Sequence, residues 1–216
     1  MVPKIVDHDE RRKEIADAVL DLIARVGIDG VTLREVARVS GWSTGILSHY
    51  GGSRDELLLL ALRRAAELAG ESFRKASQDT SLSDLDKITE IIYESLPVGH
   101  SRLALQRIFL FYYARAATTT DDLFSAEMRR YLENWRRVIA RCVDRITESG
   151  GLPPGADSAR IAADIAAIAD GSSLHAILDP ILMDRLTEDR SIPHSWVTAV
   201  LQAAGYDDTP HFHMPE

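Results

Sequence analysis

A chain of 216 residues with 45% apolar content is long enough for one or two small domains with a buried core, and too apolar to stay disordered. No apolar run approaches the ~20 residues of a membrane span, the opening MVPKIVDHDERRKE turns charged too early for a secretory signal, and the single Cys142 excludes an internal disulfide, so the expected setting is the cytoplasm. A net charge of −8 excludes a protein that holds nucleic acid by a broad basic field, because the first 56 residues set eight lysines and arginines against ten carboxylates.

Met1 to His8 reads as a frayed arm whose Lys4, with Arg11, Arg12 and Lys13 beyond it, is placed to touch phosphates or simply to lie in solvent. A first helix follows, capped by Asp7 or Asp9, with Ile15, Val19, Leu22, Ile23 and Val26 at spacings of three and four. Gly27 and Gly30 bracket its end. Next comes VTLREVARVSGWSTGILSHYGGSRDEL, Val31 to Leu57. Thr32 and Glu35 make a T-x-x-E capping box, so a helix begins at Leu33, with Val36, Ala37 and Val39 on its buried side. Gly41 lies four residues after Ala37, where the chain must turn and a positive φ costs glycine little. Trp42 plugs the corner, Ser43 caps the next helix, and Ile46, Leu47 and Tyr50 are its apolar anchors. Small alanine, then glycine, then an apolar residue six further on is the spacing of a helix-turn-helix, whose second helix offers its N-terminal residues to a major groove. Ser53 and Glu56 form a second capping box, which starts a long helix from Arg54 to about Ala76.

Behind this head the pattern stays helical, with no strand alternation. Ser83 caps a helix carrying Ile88, Ile91, Ile92 and Leu96, closed by Pro97 and Gly99. Leu103 to Ala117 is strongly apolar, and Thr118 to Thr120 break the pattern. Asp121 to Glu148 forms a long helix ended by GGLPPG. Asp157 or Ser158 caps a helix that reaches Leu178 before Pro180. MDRLTEDRS reads as a polar loop, Pro193 suits the first turn of a last helix, and DDTPHFHMPE is a tail. The expected fold is all-α with about nine helices, three in an N-terminal DNA-binding head and six in a C-terminal bundle. The expected domains are 1–53 for the head, 54–207 for ligand binding and dimerisation, and 208–216 for the tail.

Through Thr32, Ala37, Gly41, Ser43, Gly45, His49, Tyr50 and Leu57 the head resembles the TetR family of one-component regulators, and GWSTGILSHYGGSRDELL is most similar to its BetI-like branch. Two positions depart from that family. Gly51 stands where Phe is usual, which removes an aromatic plug and implies a looser junction, and Arg54 stands where Lys is usual. The LALQRIFLFYYARA, RRYLENWRR and ADGSSLHAIL stretches are similar to BetI-like helices at lower specificity. The resemblance implies a repressor released from a palindromic operator by a small molecule, acting as a homodimer, with no cofactor and no membrane partner.

The expected DNA-reading residues are Ser43, Thr44, Gly45, Ser48, His49 and Tyr50, with Arg34 and Arg54 clamping phosphates. Ala162, Ala166, Ala169, Ser173 and Ala176 recur at spacings of three and four, so another helix can approach closely. That surface fits close packing inside one subunit as well as a dimer two-fold. The family resemblance favours the dimer and adds Trp196 and Val200 from the last helix. Phe109, Tyr112, Tyr113 and Trp135, with His175 as a polar tip, suit either an aromatic core or the walls of an effector pocket. A choline-like cation would use such aromatic faces, although they do not demand it. An enzyme is the rival class, but P-loop and H-E-x-x-H patterns are missing, Cys142 sits mid-helix, and His211 and His213 in a tail are a weak metal pair. A helical small-molecule-binding module with weak or lost DNA binding is the other alternative, suggested by Gly51 and the acidic head.

Overall fold

The computed structural model describes residues 8–118 and 122–207, and these form ten α-helices with no strand among them. The helices are α1 (His8–Val26), α2 (Leu33–Ser40), α3 (Thr44–Gly51), α4 (Arg54–Gln78), α5 (Asp84–Ser95), α6 (His100–Thr118), α7 (Asp122–Glu148), α8 (Ser158–Leu178), α9 (Pro180–Glu188) and α10 (Ser191–Ala203). The expected arm with Lys4 and Asp7, the break at Thr119 and Thr120, and the tail with His211 and His213 lie outside the described residues.

The extra helix is α9, which occupies most of the stretch expected as a polar loop. Pro180 reads in sequence as a terminator, but it stands at the first helical position, where its missing N–H costs nothing. Asp179 caps that new start by accepting from the Ile181 N–H at 2.9 Å. The caps predicted at Ser83 and Asp157 form as expected. Ser83 Oγ accepts from the Asp86 N–H at 3.1 Å and Asp157 Oδ1 from the Arg160 N–H at 3.0 Å.

The chain packs as two compact units, Met1–Ala69 with Pro97–Arg130, and Gly70–Leu96 with Tyr131–Glu216. In the first, α1 packs on α6 and α2, and α2 on α3, around buried Ile15, Val19, Leu22, Ile23, Val36 and Leu47. Val26, expected on that buried side, is instead 57% exposed as the last residue of α1. In the second, α10 packs on α5 and α8, and α9 on α8, around Ile88, Ile91, Ile161, Ile165, Leu186, Val197 and Leu201. By length and hydropathy α8 is the one helix among the described residues that passes for a membrane span. Its apolar character is explained by burial, since Ile161, Ala162, Ile165, Ala166, Ala169, Ser173 and Ala176 are all covered within this unit.

Candidate nucleic-acid interface

The α2–turn–α3 segment is held by short-range bonds that the sequence specifies. Thr32 Oγ1 accepts from the Glu35 N–H at 3.1 Å, while the Glu35 carboxylate accepts from Arg38 Nε at 2.8 Å. Gly41 ends α2 at φ 73°, and its N–H donates to the Ala37 carbonyl at 3.1 Å. Open space surrounds the position a Cβ would take, so the left-handed backbone angle, not crowding, selects glycine. Ser40 Oγ donates to the Val36 carbonyl and accepts from the Trp42 N–H, tightening the turn. Trp42 does close the corner, with the Arg11 guanidinium of α1 stacked 4.5 Å from its ring centroid. Ser43 Oγ accepts from the Ile46 N–H at 3.2 Å and starts α3.

Leu47 and Gly51 turn inward on α3, while Ser43, Thr44, Gly45, Ser48 and His49 are exposed and Tyr50 is half-buried. A Cβ at Gly45 would meet only Ser43 Oγ at 3.8 Å, so the start of the helix is bare. Tyr50 is braced from α1, its hydroxyl 2.9 Å from His8 Nδ1, and the His49 ring meets it edge-on at 5.0 Å. Two expectations are corrected here. Ile46, expected as an anchor, is 39% exposed. The junction after α3 is not left open by Gly51: a Cβ there would lie 2.4 Å from Leu57 Cδ2, and Leu57 is fully buried. An aliphatic side chain from α4 thus fills the space that an aromatic one would take.

The reciprocal box at α4 forms completely. Glu56 N–H donates to Ser53 Oγ at 3.2 Å, and Ser53 N–H donates to Glu56 Oε2 at 2.7 Å. Arg34 is exposed on the first turn of α2. Arg54 is not free to clamp a phosphate with its whole fork, because Nε donates to the Val31 carbonyl at 2.9 Å and Nη2 to the Ile28 carbonyl at 2.8 Å. It ties the loop between α1 and α2 to the start of α4.

Sequence reasoning missed the grip of α6 on this head. Arg107 Nη1 donates to the Ile23 and Ala24 carbonyls at 3.1 and 2.8 Å in the last turn of α1, adding a second donor to Ile23, which also accepts from the Gly27 N–H at 2.9 Å. Arg115 Nη2 reaches Asp55 Oδ2 at 3.1 Å in the first turn of α4, and its guanidinium lies 4.2 Å from the Phe124 ring centroid. The hydrogen-bond partners are 60 or more residues from their arginines, so no local pattern announces them.

The expected effector residues fall in both units. In the first, Phe109 and Tyr112 are buried and Tyr113 is half-buried, with Tyr112 5.1 Å from Phe124. In the second, Trp135 is 2% exposed and lies between Phe73 at 6.0 Å and Tyr131 at 6.3 Å, both nearly parallel to it. Its indole N–H has no acceptor among the described residues. Burial, with the charge of Asp170 added, holds the Tyr131 phenol above its usual range, so it stays neutral. His175 is exposed on the outer side of α8, and so cannot serve as a polar tip inside an aromatic core; that expectation is corrected. Cys142 is buried as expected, and burial pushes its thiol up.

The small-residue face is also corrected. Ala162, Ala166, Ala169, Ser173 and Ala176 are each at most 2% exposed within a single chain, because α8 uses them to pack inside its own unit, where Ser173 Oγ donates to the Ser95 carbonyl. Trp196 and Val200 are half-buried on α10. The apolar residues left outside are Ile168, Leu174 and Leu178 of α8 and Ile181 of α9.

Comparison with known proteins places these features. Residues 15–61 match the bacterial regulatory proteins of the tetR family, and residues 85–203 match the BetI-type transcriptional repressor C-terminal region. The chain is 32% identical over 192 residues to the HTH-type transcriptional regulator PksA of Bacillus subtilis, covering 88% of each. A transcriptional regulator from Rhodococcus sp. Rha1 shares the fold at TM-score 0.73 and 23% identity, over 91% of this chain and 98% of that one. SmeT, a repressor from Stenotrophomonas maltophilia solved with triclosan, does so at TM-score 0.68 and 19% identity, over 96% and 100%. Regulators of this family bind DNA operators, dimerise and answer to small-molecule effectors. The chain therefore belongs to the TetR family, with a C-terminal region of the BetI-type transcriptional repressors, and is a DNA-binding regulator of transcription, not an enzyme.

Proposed function

We propose that this regulator is a cytoplasmic homodimeric repressor whose residues 1–53 read a palindromic operator, while the remainder to residue 207 senses an effector and dimerises. The observation that carries this reading is the bare, capped start of α3, with Ser43, Thr44, Gly45, Ser48 and His49 exposed together. Tyr50 borders that surface, and Arg34 supplies an exposed cation for phosphate. Arg54 acts by fixing the head and leaves at most one guanidinium nitrogen for the backbone of DNA.

The dimer forms on the outer side of α8, through Ile168, Leu174 and Leu178, continued by Ile181 of α9 and the half-exposed Trp196 and Val200 of α10. Apolar side chains left in water carry a cost that a second copy removes. The effector is an apolar or aromatic molecule that brings a hydrogen-bond acceptor to the Trp135 N–H, since an unpaired buried donor costs about 1–3 kcal/mol. Phe73 of α4 stacks on Trp135, so a ligand that displaces the indole moves α4, and the same helix begins at Arg54 and Asp55 in the head. A dimer holds its two reading helices about one DNA turn apart, so a small tilt spoils the fit.

Selection of bound DNA from a random pool by the full-length protein tests the reading. A two-half-site palindrome is expected, recovered by dimers. Recovery of sequences with no common element, or of a single half-site by monomers, overturns it.

A further inference from the structure

Of the large apolar side chains exposed among the described residues, four lie on α8 and α9 and Val26 is the last residue of α1. Ile46 is the one on the DNA-reading helix. Resting on the operator-reading function proposed above, we propose that Ile46 reads the methyl group of a thymine in each operator half-site.

The geometry of α3 supports this. Leu47 and Gly51 mark its buried side, and each residue turns about 100° around the axis, so the side opposite is centred on Gly45 and His49, with Ile46 roughly 60° from that centre. Beside Gly45 no side chain fends off the duplex, and the nearest atom to a Cβ there would be Ser43 Oγ at 3.8 Å. The duplex can therefore come close to the backbone, and Ile46 is the side chain next to that approach. In the major groove, bases present hydrogen-bond donors and acceptors, with one apolar exception, the thymine C5-methyl. An isoleucine laid against N4 of cytosine, N6 of adenine or O6 of guanine strips water from a polar atom and returns no hydrogen bond. Against a thymine methyl it loses nothing and buries apolar surface on both partners. Ser43, Thr44, Ser48 and His49 supply polar contacts around it, so Ile46 adds a different discrimination from theirs.

The test uses the sequence recovered from the random pool. Each symmetric pair of thymines is replaced by deoxyuridine, which removes only the methyl, and the affinity of the full-length protein is measured. One pair is expected to weaken wild-type binding about fifteen-fold, from about four-fold per lost methyl contact in each half-site. Ile46→Ala should bind the thymine and uracil forms of that pair equally, and Ile46→Val should keep part of the difference. Ile46→Asn should select a different base there. Wild-type binding that is unchanged by uracil at every thymine overturns the inference while leaving operator binding intact. A uracil effect that persists undiminished in Ile46→Ala also overturns it, by giving the methyl to another residue. If no sequence is bound at all, the operator-reading function itself falls and the inference with it.

Discussion

Replacing Arg54 by alanine separates two roles that look alike in sequence. A phosphate clamp at the start of α4 would contribute counterion release, and its loss would lower the salt slope of log affinity by about 0.9 per contact. The structure gives the guanidinium other work, since it donates to the Val31 carbonyl at 2.9 Å and the Ile28 carbonyl at 2.8 Å. Val31 is fully buried, and water reaches its carbonyl poorly once the guanidinium is gone. Losing charge-assisted bonds of this type costs about 2–3 kcal/mol, which for a chain of this size lowers Tm by roughly 5–10 °C. Operator affinity should fall for every sequence by a similar factor, because the loop between α1 and α2 loosens under the reading helix. The salt slope should stay within about 0.3 of wild type, since few phosphate contacts are lost. Arg54→Lys should rescue little, as a single ammonium cannot span two carbonyls in the geometry of a fork. Thermal unfolding and operator affinity across a potassium chloride series measure both quantities. An Arg54→Ala protein with wild-type Tm and a slope reduced by about one unit would refute this reasoning and restore the clamp.

Arg107→Ala removes the donor shared by the Ile23 and Ala24 carbonyls, so it should destabilise the head by about 1.5–3 kcal/mol and raise amide exchange at the end of α1 well above the rest of that helix. Unchanged exchange there would show that α6 does not hold α1. For the dimer, Ile168→Glu with Leu178→Glu should give folded monomers by sedimentation, whereas Ala166→Glu should unfold the second unit, because Ala166 is fully covered within one chain. Folded monomers from Ala166→Glu would return the interface to the small-residue face. Trp135→Phe keeps the stacking with Phe73 and Tyr131 but removes the N–H, so operator affinity should hold while the response to an effector weakens by about 1–3 kcal/mol, read as operator affinity with and without ligand. A normal response in that variant would place the effector elsewhere.

The parts of the fold legible in sequence are those decided within a few residues. Thr32, Ser43, Ser53, Ser83 and Asp157 bond to N–H groups three residues on, so their caps could be read directly, and Gly41 takes the positive φ that its spacing implied. Pro180 shows the limit of such reading: the same residue ends one helix and opens another, and only the cap at Asp179 decides which. Burial was harder. The spacing of Ala162, Ala166 and Ala169 says that a helix will come close, and carries no information about whether that helix is in the same chain. The roles of Arg54 and Arg107 are hard to read because a guanidinium bonded to carbonyls more than 20 residues away has the same sequence signature as one that meets a phosphate. Ile46 reads as an anchor in sequence because an eight-residue helix offers too few positions to fix which side faces inward.

The acidic balance of the head bears on how such a regulator is switched. Several of its cations already face carboxylates, Arg12 on Asp9, Arg25 on Asp21 and Arg38 on Glu35, which leaves little charge for sequence-independent attraction to DNA. Operator affinity must then come mostly from short-range contacts of α3, each of which works only over tenths of an ångström. Long-range charge would tolerate a shifted head, since it decays over a Debye length of about 8 Å, whereas hydrogen bonds and a methyl contact would not. A head of this composition is therefore released by a small displacement, and an effector needs a preference of only about 1–3 kcal/mol for the displaced form to loosen the operator roughly five- to 150-fold. Linkage makes the effect reciprocal, so operator DNA must weaken effector binding by the same factor. Titrating the effector against free and operator-bound protein measures that factor without reference to any residue, and equal affinity for the two forms would mean that the ligand does not act by loosening the operator.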